Sequence, residues 1–255
     1  MLVRFLILLS GLVLTLTNCQ EAADKNVSAD TNIVAIVGVI HGQHKRSERY
    51  SLDILKDAIR SFNPDIILVE LPPDRFQTAS ENFAAFGEVR ENRTDDFPEL
   101  VDVVFPLRKE MGFTMVPVAA WSRQLADDRR AKLQQLENDP KRAKDWSEYQ
   151  AAIATYNRPV SGKSDDPKYI HSRAYDDAVK ARQETYQQLF GEDLGAGGWA
   201  ESNAAHLTLI NQALDDVSGQ QTRILILFGA WHKYKIREDL EARPDIVISD
   251  AATLF

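Results

Sequence analysis

Apolar residues recur along this chain at two different spacings. Residues 33–37 (IVAIV) form an unbroken, mostly β-branched run, the pattern of a strand buried on both faces. Residues 48–62 then carry Leu52, Leu55, Ile59 and Phe62 at helical spacing, with Ser47 available as a cap. Asn63-Pro64 stops that helix, and residues 66–69 (IILV) predict a second buried strand. A third is expected over 114–118 (TMVPV), weakened by Pro117, which cannot donate to a ladder. Residues 224–228 (ILILF) predict a fourth, a helix follows over 234–241, and 246–248 give a short last strand. Strand and helix in alternation predict an α/β fold with a mainly parallel sheet flanked by helices. The long stretch between the third and fourth strands has no strand pattern. Residues 122–156 and 173–190 are charged and helical in composition, so a helical insertion is expected over about 121–198. It is either a lid over a site or a solvated structural helix pair.

The first residues follow another rule. MLVRFLILLSGLVLTLT, with one arginine before a short apolar run, has the pattern of a signal peptide and is too short for a comfortable membrane span. It ends at Leu16-Thr17-Asn18-Cys19, which resembles a bacterial lipobox with Asn18 in place of the usual small residue. The expected organisation is therefore a signal peptide over 1–18, a polar tether over 19–32 and one α/β domain over 33–255. A lipid on Cys19 would hold that domain to a membrane in the bacterial cell envelope, facing the periplasm or the exterior. Ordinary secretion with an incidental cysteine is the alternative.

Composition narrows the function classes. The 255 residues are 44% hydrophobic and 27% charged, as in soluble globular proteins. Thirty Lys and Arg against 38 Asp and Glu give a formal charge of −8, which repels phosphate backbones and argues against nucleic-acid binding. One cysteine excludes an internal disulfide and any thiolate-based metal cluster.

Open parallel α/β sheets bind ligands beyond the carboxyl ends of their strands, and here those ends carry unusual residues. Gly38-Val39-Ile40-His41 follows the first strand, Glu70-Leu71-Pro72-Pro73-Asp74-Arg75 the second, and Gly229-Ala230-Trp231-His232 the fourth. The repeated Gly-x-x-His places two imidazoles on one rim, and Glu70 directly follows four apolar residues, where a carboxylate is costly to bury alone. Two neutral histidines and a carboxylate form a three-ligand set for a divalent metal such as manganese, zinc or cobalt, with an open water position. Without metal, the same trio can supply base, acid and orienter for activating water. Arg75 either pairs structurally with Glu70 or orients it. Asn203 shares a stripe with Leu207, Ile210, Leu214 and Val217, so its amide faces inward and can line the site, or cap the helix; Glu201 points away. His44, on a polar loop, reads as a surface or supporting residue, and His171 and His206 as structural.

The two Gly-x-x-His motifs, Val69-Glu70-Leu71 with Arg75, and Glu201-x-Asn203 together resemble the TraB/Tiki/erythromycin-esterase/ChaN superfamily, over about residues 33–255 and least in the insertion. The ending Gly229-Ala230-Trp231-His232-Lys233-Tyr234 is similar to that of TraB/GumN-like bacterial members. The resemblance implies an α/β fold and, carried over residue by residue, a site of His41, Glu70, Arg75, Asn203 and His232. It implies a hydrolase, since Tiki proteins are metal-dependent proteases and erythromycin esterases open a macrolactone, or a haem binder, as in ChaN-like lipoproteins. Two departures stand out. Val39 replaces the glutamate usual after the first glycine in the esterase and ChaN branches, and Ser202 replaces an arginine often found before the asparagine.

The leading expectation is an envelope hydrolase acting on an amide or ester bond of a peptide or small molecule, with His41, Glu70 and His232 on the metal, and Arg75 and Asn203 orienting Glu70 or the oxyanion. The alternatives are a haem or porphyrin binder with axial ligands from His41, His232, Tyr50 or Tyr234, and a non-catalytic scaffold.

Overall fold

The structure is a computed structural model that describes residues 31–92 and 94–255. The signal segment, Cys19 and nearly all of the tether lie outside the described residues. Among the described residues no helix is long and apolar enough to cross a membrane.

Five strands form the sheet: β1 (Asn32–Val39), β2 (Ile66–Val69), β3 (Thr114–Pro117), β4 (Arg223–Gly229) and β5 (Ile246–Ser249). Their order is β3-β2-β4-β1-β5, with every pair parallel. The α/β expectation thus holds. Pro117 is accommodated because β3 is an edge strand paired only with β2. On β1, Ala35, Val37 and Val39 face one core while Val34 and Ile36 face the other, which is why the strand reads as continuously apolar. On the first face lie α1 (Leu52–Phe62), α2 (Pro73–Phe86) and α3 (Phe105–Met111), the last entered through a π-helical turn over Glu99–Val104. On the other lie α8 (Trp199–Asp215) and α9 (Lys233–Leu240), packed through Ile210, Leu214, Ile236 and Leu240.

Between β3 and α8 the chain forms α4 (Arg123–Asn138), α5 (Ala143–Val160), the short α6 (Pro167–Ile170) and α7 (Arg173–Leu194). Their polar composition reflects exposed outer faces. The inner faces share an aromatic cluster in which Tyr149 of α5 meets Tyr186 and Phe190 of α7 at ring-centroid distances of 5.3 and 5.6 Å. One local expectation is corrected. Helix α1 begins at Leu52 and is capped by Ser51, whose hydroxyl accepts the Ile54 N–H. Ser47 instead receives the Tyr50 N–H and donates to Asp165, tying the loop before α1 to the segment after α5.

Candidate functional site

The register of the sheet brings the three suspected strand ends to one edge: Val39 of β1 lies opposite Gly229 of β4, and Val69 of β2 opposite Leu227. Glu70, the next residue, spans the gap from β2 to β4. Its main-chain N–H donates to Leu227 O, and its carboxyl oxygen accepts the Gly229 N–H at 2.5 Å. Both motif glycines are sites of close approach. A Cβ on Gly38 would stand 3.0 Å from the Ala230 backbone. One on Gly229 would stand 2.9 Å from His41 Nε2 and 3.2 Å from the Glu70 carboxyl. Gly-x-x-His therefore works by removing a side chain where two strand ends, an imidazole and a carboxyl converge.

His41 is held in an uncommon backbone conformation, φ +48°, at the start of a 3₁₀ turn. His44 fixes that turn, since it accepts the Ile40 N–H at 3.1 Å and donates through Nδ1 to Tyr50 O at 2.7 Å. It is buried, so of the two roles open to it in the sequence it takes the supporting one. His41 Nδ1 meets Glu99 at 2.7 Å, and Nε2 lies 3.9 Å from Glu70. Burial disfavours the imidazolium, but the hydrogen bond and charge of Glu99, helped by Glu70, overcome it and raise the pKa to about 9. At Glu70 burial prevails instead. The His41 charge and the Gly229 N–H pull its pKa down, yet it ends at about 7. Glu99 was not found from the sequence. Its signal was of the same kind as that of Glu70, a carboxyl beside the apolar Leu100, Val103 and Val104, but no strand pattern marked the place. It lies on the π-helical turn, a distortion that recurs at functional sites.

His232 is the opposite case. Asn203 Nδ2 donates to Trp199 O at 2.6 Å, so Asn203 Oδ1 is the atom that accepts His232 Nδ1–H at 2.8 Å. That network assigns the proton to Nδ1 and leaves Nε2 as a bare acceptor. The ring stacks on Trp199 at 4.6 Å. Burial, reinforced by His206, His41 and Arg129, lowers its pKa well below the ordinary value, so it is neutral. Asn203 thus lies inward against His232, and Glu201 points away to Gln187.

Arg75 departs from its expected role. Its ion pairs are with Asp74 at 3.4 Å and Glu91 at 3.5 Å rather than with Glu70, because α2 carries it outward after Pro72-Pro73. His171 is structural, accepting the Gly38 N–H and donating to Pro167 O, with burial lowering its pKa to about 3. The two candidate axial tyrosines are engaged elsewhere. Tyr50 donates its hydroxyl to Gly38 O, and Tyr234 accepts the Trp199 indole N–H.

Whether the donor set fits a metal turns on convergence. The orientations of His41 and His232, each with Nδ1 engaged and Nε2 turned away, suit a metal site as well as a general-base site. His41 and Glu70 approach each other, but among the described residues no group of three or more His, Cys, Asp or Glu is arranged to hold a metal ion. The expected three-ligand set of His41, Glu70 and His232 is therefore not assembled in this arrangement. Two cavities flank His232. One, of about 210 Å³, is lined by His41, Gln43, Tyr156, Gly229 and Trp231, and the other, of about 190 Å³, opens on the far side of Trp231 and His232.

Comparison of the chain with protein-family models, with curated proteins and with solved structures finds no match.

Proposed function

We propose that this chain is a hydrolase of an amide or ester bond, in which Glu70 and His41 share the acid–base work. The observation that carries the reading is that pair: two groups 3.9 Å apart whose surroundings push their pKa values to about 7 and about 9, one at neutral pH and one above it. Near neutrality Glu70, as carboxylate, takes a proton from water as the water oxygen bonds to the carbonyl carbon. His41, as imidazolium, gives its Nε2 proton to the leaving nitrogen or oxygen as the C–N or C–O bond breaks. The proton on Glu70 then returns to His41, which restores the starting state. Neutral His232, fixed by Asn203, accepts a hydrogen bond at Nε2 and so orients the water, and Glu99 keeps His41 charged. In this scheme Arg75 has no chemical role.

The lipobox-like Cys19 supports an envelope location with the domain tethered to a membrane. Palmitate labelling of the full chain, lost in Cys19→Ser, would bear this out, and equal labelling of both would remove it.

The test of the chemistry uses 4-nitrophenyl acetate and a peptide amide panel, assayed with chelator and with added manganese, zinc or cobalt. His41→Ala should lose about 10²–10⁴-fold in turnover while its circular dichroism stays that of the wild type. Activity that depends on added metal would replace this scheme by the metal-assisted one. Activity in neither assay, with ester or amide, would remove the hydrolase reading.

A further inference from the structure

The cavity beyond Trp231 and His232 is unusual in its charge. In a chain with an excess of acidic residues, its lining contains Arg129 and Arg182 and no carboxylate. Neither arginine has an ion pair among the described residues. Arg129 donates to the Tyr186 hydroxyl at 3.2 Å, and Arg182 donates through Nη2 to the Tyr149 hydroxyl at 2.9 Å. The Nε and Nη1 groups of Arg182 are buried without a hydrogen-bond partner among the described residues. Orphaned guanidinium donors are costly to bury, and the charged group suits an anionic acceptor such as a carboxylate.

The rest of the lining is flat and aromatic. The Arg182 guanidinium stacks 4.1 Å over the Trp231 ring, whose indole N–H donates to Tyr156, and Trp121 and Trp199 complete the walls. The approach of Arg129 also depends on a glycine, since a Cβ on Gly197 would stand 3.2 Å from the Arg129 side chain. Trp231 and His232 line both this cavity and the one containing His41, so a ligand seated here ends beside the reacting groups.

We propose that this cavity is a substrate subsite for a carboxylate attached to a flat, apolar group, with Arg182 and Arg129 binding the carboxylate and the tryptophans the flat group. On the hydrolase reading above, which the placement of the scissile bond rests on, the subsite sets that bond at His232 and His41. The helices between β3 and α8 are then the part of the fold that selects substrate.

Binding can be read apart from catalysis, because Trp121, Trp199 and Trp231 report it by fluorescence. The probes are phenylacetate and its uncharged analogue phenylacetamide, titrated into the full chain, Arg129→Gln, Arg182→Gln and His41→Ala. Phenylacetate should quench saturably, phenylacetamide should bind at least about tenfold more weakly, and each arginine variant should lose about tenfold or more for phenylacetate only. His41→Ala should bind phenylacetate like the wild type while losing turnover, whereas a wild type that binds phenylacetate but hydrolyses neither ester nor amide would refute the hydrolase reading and leave the subsite standing. Equal binding of the two probes, or of phenylacetate by the wild type and the arginine variants, would overturn the subsite. Should Arg182→Gln fail to fold, Arg129→Gln, on the more exposed α4, decides.

Discussion

Replacing Glu70 by glutamine tests the electrostatics of the site without reference to any substrate. The wild-type carboxyl is nearly enclosed and has a pKa of about 7, against the ordinary value of 4.5. The folded state therefore holds the Glu70 proton more tightly than the unfolded chain does. For a group raised in this way, stability is greatest below about pH 4.5 and falls as pH climbs to about 7, where the folded carboxyl finally ionises. A gap of about 2.5 units corresponds to roughly 3 kcal/mol lost between pH 4 and pH 8. Glutamine does not ionise, and its amide oxygen can still accept the Gly229 N–H, so the variant is spared that loss. Groups remote from Glu70 are common to both proteins and cancel in the difference, and His41, whose pKa of about 9 Glu70 helps to raise, titrates mostly above the range compared. The stability of Glu70→Gln minus that of the wild type should rise by about 3 kcal/mol from pH 4 to pH 8. For a domain of this size that is roughly 6–12 °C in relative Tm. Thermal or urea melts of both proteins at four or five pH values measure it. A difference that does not change with pH would mean that Glu70 titrates like a solvated carboxylate. A difference that falls as pH rises would mean that the His41–Glu70 attraction outweighs burial, and the acid–base assignment would collapse with it. The same variant should lose about 10²–10⁴-fold in turnover, so more stability and less activity are expected together.

Two further changes probe the same cluster. Glu99→Gln removes the hydrogen bond and charge that raise His41, so the basic limb of a pH–rate profile, expected near pH 9 in the wild type, should move toward neutrality; an unmoved limb would assign it to another group. Gly229→Ala inserts a methyl 2.9 Å from His41 Nε2 and 3.2 Å from the Glu70 carboxyl, which should cost about 1–3 kcal/mol in chemical denaturation and nearly all turnover, whereas wild-type activity in this variant would show that the rim is looser than its glycine implies.

What the sequence made legible, and what it did not, follows from how far each signal reaches along the chain. The strands were readable because β1, β2 and β4 are buried on both faces, which leaves unbroken apolar runs. The rim residues His41, Glu70 and His232 were readable because a parallel sheet puts all its strand ends on one edge, so a short motif after each run marks a common place. Asn203 was readable from helical periodicity alone. Arg75 was misplaced because five residues of linear proximity to Glu70 cross a Pro-Pro turn that directs α2 away.

Glu99, Arg129 and Arg182 were beyond reach for one shared reason. Arg129 and Arg182 sit in helices whose composition is dominated by their solvent faces, Glu99 sits in an apolar turn with no strand pattern, and each acquires its role only when tertiary packing takes it out of water. Glu99 becomes unusual once the π-helical turn aims it at His41 Nδ1, and Arg182 once α5 and α7 close around its guanidinium. Burial of a charge is the physical event that marks all three, because a charge out of water must find a partner, shift its pKa or await a ligand. Glu99 has its partner in His41, and Glu70 has shifted. Arg182 keeps two buried donors unmatched among the described residues, and in the proposed reading that asymmetry places the specificity of the site in the helices and its chemistry at the sheet edge.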